Sequence, residues 1–127
     1  MGRIRNIRWT ATIAAGQTTA TAYGPVIRGR ILKVGVNYTT NACTVDLDSD
    51  GETNAQKILN LSSASTDITY YPKVALHDNT GSAINLSDAQ GGDTAMYGYF
   101  IVYGRLLLTL ASGTSTHSVT IHLTIEE

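Results

Sequence analysis

Three acidic side chains alternate along one short stretch, where the sequence reads Asp46-Leu47-Asp48-Ser49-Asp50-Gly51. Carboxylates at alternate positions ahead of a glycine are the ligand pattern of a calcium-binding loop. An EF-hand loop that began at Asp46 would need a glutamate at its twelfth position, where this chain has Lys57. Asp46, Asp48 and Asp50 therefore form a candidate metal site, and the favoured alternative is a strand with outward carboxylates that runs into an Asp-Gly turn. No cofactor is expected.

The three histidines do not form a metal-binding pattern. His117 and His122 are five residues apart, which places them on opposite faces of a strand. His77 stands beside Asp78, and adjacent side chains of an extended chain diverge. We expect all three histidines to be polar surface residues.

Motifs for nucleophilic catalysis and for phosphate binding are missing from the sequence. There is no Gly-x-Ser-x-Gly and no glycine-rich loop that ends in Lys-Ser or Lys-Thr. Cys43 shares its phase with Val45 and Leu47, so we expect a small buried side chain there and not a reactive thiol. The sequence predicts a protein that is not an enzyme.

The alternation of apolar and polar residues predicts the elements that position these groups. Residues 118–125 alternate strictly, with Val119, Ile121, Leu123 and Ile125 in one phase, as in a strand with one buried face. Further strands are predicted at 3–14, at 18–23 with an end at Gly24-Pro25, at 26–38 and at 43–48. A turn is predicted at residues 88–93.

About eight or nine short strands separated by turn residues, with no helical periodicity, indicate one all-β domain. We predict a single-domain antiparallel β-sandwich of jelly-roll type over residues 1–127, with residues 1–8 as a candidate N-terminal arm. Nothing in the sequence reads as a signal peptide or as a membrane-spanning apolar run. The protein is therefore expected to be made in the cytoplasm, to be neither secreted nor membrane-spanning, and to have no membrane partner.

Composition and charge favour a surface that neighbouring proteins cover. Charged residues make up 15% of the chain, whereas 18 Thr and 9 Ser supply most of its polarity. Residues 1–45 carry six basic side chains and no acid, and residues 46–127 carry three basic and ten acidic ones. Such asymmetry is typical of a polar contact between unlike neighbours or of a nucleic-acid interface. A net charge of −1 argues against nucleic acid as a partner.

The run from Met96 to Tyr103 is apolar in both phases of a strand. A strand of this kind needs cover on both faces, from its own chain or from a second subunit. Tyrosine is enriched at interfaces because it combines a large apolar ring with a polar hydroxyl. We predict a homo-oligomer, with these interface candidates: Tyr97, Tyr99, Ile101, Tyr103, Arg3, Arg5, Arg8 and Trp9.

Seven short segments, taken in order, cover most of the chain. The segments are Gly24-Pro25-Val26-Ile27-Arg28-Gly29-Arg30-Ile31, Val34-x-Val36-x-Tyr38, Ile58-Leu59, Tyr71-Pro72-Lys73, Thr80-Gly81-Ser82-Ala83, Gly104-Arg105-Leu106-Leu107 and Ala111-Ser112-Gly113. In their order and spacing they resemble a loose group of small tailed-bacteriophage virion proteins.

The resemblance implies a non-enzymatic capsid decoration, or cement, protein on the surface of the virion. Such a protein would bind the major capsid protein in the assembled shell and would form a homo-oligomer, with a trimer as the expected assembly. Two alternatives stay open, a fibre or head-tail component and a jelly-roll carbohydrate-binding module.

Overall fold

A computed structural model describes residues 2–39, 41–87 and 93–127, and every helix or strand in these ranges is a β-strand. The strands are β1 (Ile4–Thr12), β2 (Ala20–Tyr38), β3 (Cys43–Asp50), β4 (Lys57–Ala64), β5 (Ile68–Tyr70), β6 (Lys73–Ala75), β7 (Asn85–Ser87), β8 (Asp93–Ala95), β9 (Tyr97–Tyr99), β10 (Ile101–Ala111) and β11 (Ser118–Glu126). The predicted all-β class is confirmed. The turn predicted at residues 88–93 lies outside the described residues, apart from Asp93 at the start of β8.

Seven of the strands form one antiparallel sheet in the order β1-β11-β2-β10-β3-β4, with β5 added beside β2. The sheet curls into a half-barrel. The short strands form two further pairs, β6 with β9 and β7 with β8. The antiparallel arrangement is confirmed, whereas two facing layers with jelly-roll connections remain a prediction.

The long strand β2 links the two halves of the main sheet. Its residues from Ala20 to Arg30 pair with β10, and those from Arg30 to Tyr38 pair with β11. At the crossover between the two partners, Gly29 has a φ of +154°, and a Cβ atom there would overlap the carbonyl oxygen of Glu126. Glycine at this position allows one strand to serve both halves of the sheet.

The predicted end of a strand at Gly24-Pro25 is wrong, because β2 continues through both residues. Val26 pairs with Arg105 and Tyr23 pairs with Leu107, so two residues of β2 lie opposite a single residue of β10. A proline inside such a bulge does not have to donate a hydrogen bond to the ladder.

The inner face of the curled sheet forms a core of aliphatic side chains. Every second residue of β3 and of β11 is buried, as period-two alternation predicts. The largest fully buried side chains are Ile13, Ile27, Ile31, Leu47, Leu106, Leu108, Leu110, Ile121, Leu123, Ile125, Val34 and Val36.

Residues 4–8 of the candidate N-terminal arm belong to β1 and pair with β11. The two chain ends also exchange backbone hydrogen bonds, from Arg3 N to Glu127 O at 3.1 Å and from Glu127 N to Arg3 O at 2.8 Å. Two ion pairs, Arg5 with Glu127 and Arg30 with Glu126, join the basic first third of the chain to its acidic end. Part of the charge asymmetry is therefore neutralised within the chain.

Candidate functional site

A group of large apolar and aromatic side chains is exposed on the outer surface of β9, β10 and the first half of β2. We call it the tyrosine face, and its members are Tyr23, Val26, Tyr97, Tyr99, Ile101 and Tyr103. These side chains are 39 to 66% exposed, although burying a large apolar side chain is favourable. Four of the six, Tyr97, Tyr99, Ile101 and Tyr103, are predicted interface candidates, whereas no sequence pattern pointed to Tyr23 and Val26.

The structure separates the two apolar phases of the run from Met96 to Tyr103. Phe100 and Val102 point into the core and are 7% and 0% exposed, whereas the side chains of the other phase face outward. The chain passes from β9 to β10 at Phe100, whose carbonyl oxygen accepts a hydrogen bond from Ile31 N at 2.9 Å. Tyr97, Tyr99, Ile101 and Tyr103 are thus left uncovered by this chain, and Met96, which shares the phase of Phe100, is exposed as well.

Cationic side chains lie over the tyrosine rings. The guanidinium of Arg105 is 3.8 Å from the centroid of the Tyr23 ring. Lys73 Nζ and the Arg30 guanidinium lie 4.0 and 4.9 Å from the centroid of Tyr99. Cation–π contacts of this kind fix ring orientation at a modest energetic gain in exposed positions. Aromatic rings together with arginine form the composition that is enriched at protein–protein interfaces.

A carboxylate holds the backbone under the tyrosine face. Glu52 Oε1 accepts a hydrogen bond from Tyr103 N at 2.9 Å, and its Oε2 accepts one from Gln56 Nε2 at 2.8 Å. Gln56 Nε2 also donates to the carbonyl oxygen of Ile101 at 2.9 Å. The hydrogen bond from Tyr103 N, followed by that from Gln56, lowers the pKa of Glu52 below its usual value. No sequence motif pointed to Glu52, because its partner lies 51 residues away.

The candidate metal site is occupied by internal ion pairs. Lys57 Nζ lies 3.4 Å from Asp46 and 3.3 Å from Asp48, and Arg105 Nε lies 2.7 Å from Asp50. Alternate residues of a strand are about 6.5 Å apart, too far for three such carboxylates to share one ion without a turn. Across residues 2–39, 41–87 and 93–127 no group of three or more metal-binding side chains is assembled. The arrangement matches the alternative of outward carboxylates on a strand.

The prediction that all three histidines lie on the surface is wrong for His117, which is only 2% exposed. Its Nδ1 accepts hydrogen bonds from Asn41 N at 3.3 Å and lies 2.8 Å from Thr39 Oγ1. Its ring stacks on Tyr38 with centroids 6.5 Å apart. The signal was in the sequence, since His117 shares the phase of Val119 and the buried side chains of β11. His77 and His122 are exposed, as predicted.

The N-terminal interface candidates lie apart from the tyrosine face. They belong to the start of the chain and to β1, which β11 and β2 separate from β10 in the sheet. Arg3 and Arg8 are exposed, and Arg5 is engaged with Glu127. The Trp9 ring is half-buried and packs against Gly24, where an added Cβ would approach it to 3.1 Å. The structure therefore does not bring these four residues together with the tyrosines.

Cys43 is 1% exposed, which confirms the predicted buried side chain. Burial raises the pKa of its thiol above the usual value. Because the thiolate is the nucleophile, this shift makes the thiol less reactive.

Comparison of the chain with family models, with curated proteins and with solved structures found no match. No helix in the part of the chain that the structure describes is long and apolar enough to cross a bilayer.

Proposed function

We propose that the protein is a non-enzymatic capsid decoration protein that assembles with copies of itself and binds the major capsid protein on the surface of a bacteriophage virion. The observation that carries the proposal is the exposed tyrosine face. The assignment to a virion is supported by the short segments between Gly24 and Gly113, which resemble segments of small phage virion proteins.

The tyrosine face has the chemistry of an interface core. Tyrosine and isoleucine offer apolar area at a low cost in side-chain entropy, and Arg30 and Arg105 supply donors around them. Hydrogen bonds from Tyr103 N to Glu52 and from Gln56 to the carbonyl oxygen of Ile101 hold the backbone of this face in place, which lowers the entropy cost of ordering it on binding. A second copy of the chain is the first occupant that we assign to this face, and the trimer is the expected assembly.

The oligomer is tested by light scattering coupled to size-exclusion chromatography. We expect a discrete oligomer for the native chain and a monomer for the double variant Ile101→Ser, Tyr103→Ser. The matched control is Tyr71→Ser, because Tyr71 is 65% exposed and Tyr103 is 66% exposed, but Tyr71 lies outside the tyrosine face. A native chain that remains monomeric at high concentration would refute the assembly.

Shell binding is tested by co-sedimentation of the protein with assembled phage heads and, separately, with free coat protein. We expect saturable binding to heads, no binding to free coat subunits, and weaker binding by the double variant than by Tyr71→Ser. A glycan array, read with and without a chelator, examines the carbohydrate-binding alternative. Sugar-dependent binding without any binding to heads would replace the proposed function.

A further inference from the structure

A depression of about 310 Å³ opens on the outer face of the other half of the sheet, away from the tyrosine face. It is lined by Asn6, Ile7, Arg8, Lys33, Gly35, Thr69, His122, Leu123 and Thr124. Two rows of residues that pair across the strands build it. One row runs Arg8, His122, Gly35, Thr69, and the other runs Asn6, Thr124, Lys33.

Gly35 creates the depression at the centre of the first row. It lies between His122 of β11 and Thr69 of β5, and it contributes no side chain to the outer face. A Cβ atom added there would lie 3.4 Å from His122 Cβ and 3.8 Å from Thr69 Oγ1, which are ordinary van der Waals separations. An alanine would therefore fit at position 35, so the fold itself does not require a glycine beneath the depression.

The two charged side chains that line the depression are both basic, and none of its lining residues is acidic. Arg8 and Lys33 carry positive charge, and neither has a carboxylate within 4.0 Å among residues 2–39, 41–87 and 93–127. Asn6 Oδ1 accepts a hydrogen bond from Thr124 Oγ1 at 2.8 Å, which leaves the amide nitrogen of Asn6 to donate. His122 adds a ring N–H in any protonation state.

Four basic residues elsewhere in the described part of the chain are neutralised internally, whereas Arg28 of β2 has no ion pair but lies outside the depression. Arg5, Arg30, Lys57 and Arg105 each meet an acidic partner. Arg8 and Lys33 instead approach a common space from two strands, with β11 between them. Like charges that converge without an internal counterion favour an external anion.

We propose that this depression binds a phosphate monoester, with Arg8, Lys33 and His122 around the phosphate group. Arginine and lysine are the side chains that bind phosphate oxygens through charge-assisted hydrogen bonds. The volume exceeds that of a phosphate group alone, so it also accommodates the organic part of a small ester, which would lie over Gly35 and Thr69. The site is independent of the proposed function, since it shares no residue with the tyrosine face.

The test is calorimetric titration of the full chain, at constant ionic strength, with inorganic phosphate and with glycerol 3-phosphate. We expect saturable binding of one ligand per chain and tighter binding of the ester. Arg8→Gln and Lys33→Gln should each weaken binding by about tenfold or more, because each removes a charge-assisted contact. Gly35→Ala should also weaken it, since the methyl group occupies the floor of the site.

Arg28→Gln is the matched control, because Arg28 is an exposed arginine of β2 that lies outside the depression. It should leave the affinity unchanged, and circular dichroism and thermal melting should show that all four variants remain folded. Loss of affinity in Arg28→Gln equal to that in Arg8→Gln would mean general electrostatic attraction and would overturn the proposal. Absence of saturable binding to both small phosphates would overturn it too, as would binding of a short oligonucleotide alone.

Discussion

Gly29 of β2 lies directly against the backbone carbonyl of Glu126 in β11, at the point where β2 passes from one partner strand to the other. The contact leaves no room for a side chain. It therefore packs β2, the longest strand, closely against the C-terminal end of β11.

Gly29→Ala is therefore expected to destabilise the fold by about 2 kcal/mol or more, since the methyl group overlaps backbone atoms that cannot rotate away. Gly16→Ala serves as the control, because Gly16 also has positive φ, +79°, but no atom lies within 4 Å of its Cβ position. Its cost is limited to backbone strain, about 1 to 2 kcal/mol. Chemical denaturation of both variants measures the difference, and equal losses would contradict the role of the Glu126 contact.

His117→Leu is expected to reduce stability by about 1 to 3 kcal/mol, because it leaves the Asn41 amide and the Thr39 hydroxyl without the ring nitrogen they contact. His77→Leu provides the matched change at an exposed histidine, where we expect a change of no more than about 0.5 kcal/mol. Thermal and urea unfolding of the pair report the difference. If the two variants lost equal stability, the buried hydrogen bonds of His117 would have no net effect.

Alkaline pH should destabilise the protein through Tyr38. Burial, followed by the nearby Tyr70, Cys43 and Asp67, raises the pKa of Tyr38 from 10.0 to about 12. The folded state holds this proton more tightly than the unfolded state does, so the associated stability is complete below pH 10 and is lost as the pH rises from 10 to 12. Urea unfolding at a series of alkaline pH values measures the loss.

Tyr38→Phe should remove that part of the pH dependence. At neutral pH it should not destabilise the protein, because the Tyr38 hydroxyl is buried and has no hydrogen-bond partner among the described residues. The alkaline loss would have another origin if the variant showed the same decline between pH 10 and 12.

Glu52 should titrate below its usual pKa of 4.5, because the backbone N–H of Tyr103 and the amide of Gln56 stabilise its charged form. With a folded pKa that is lowered, its contribution to stability is present above pH 4.5 and is lost as the pH falls through the folded value. The amide resonance of Tyr103 in a nuclear magnetic resonance titration reports the event directly. We expect a midpoint below 4.5, and no such transition in Glu52→Gln.

The strands themselves were largely predictable from the sequence. Val119, Ile121, Leu123 and Ile125 alternate with polar residues, and each is buried, because a strand must point successive side chains to opposite faces. The same rule places His117 inside, because position 117 is in phase with Val119. The polarity of histidine led to the opposite prediction. The strand end predicted at Pro25 was wrong because Pro25 lies in a bulge of β2, where it need not donate to the ladder, and that bulge follows from the register of β2 against β10.

The candidate sites depended on both the local sequence and the tertiary structure. Local sequence determined that Tyr97, Tyr99, Ile101 and Tyr103 share one phase, since period-two geometry needs no knowledge of distant residues. Only the tertiary structure decided that this phase is the uncovered one. It also decided that Arg8, Lys33 and His122 line one depression and that Lys57 forms ion pairs with Asp46 and Asp48. Strand register sets these pairings across many residues of intervening chain, and the register follows from the packing of the whole sheet.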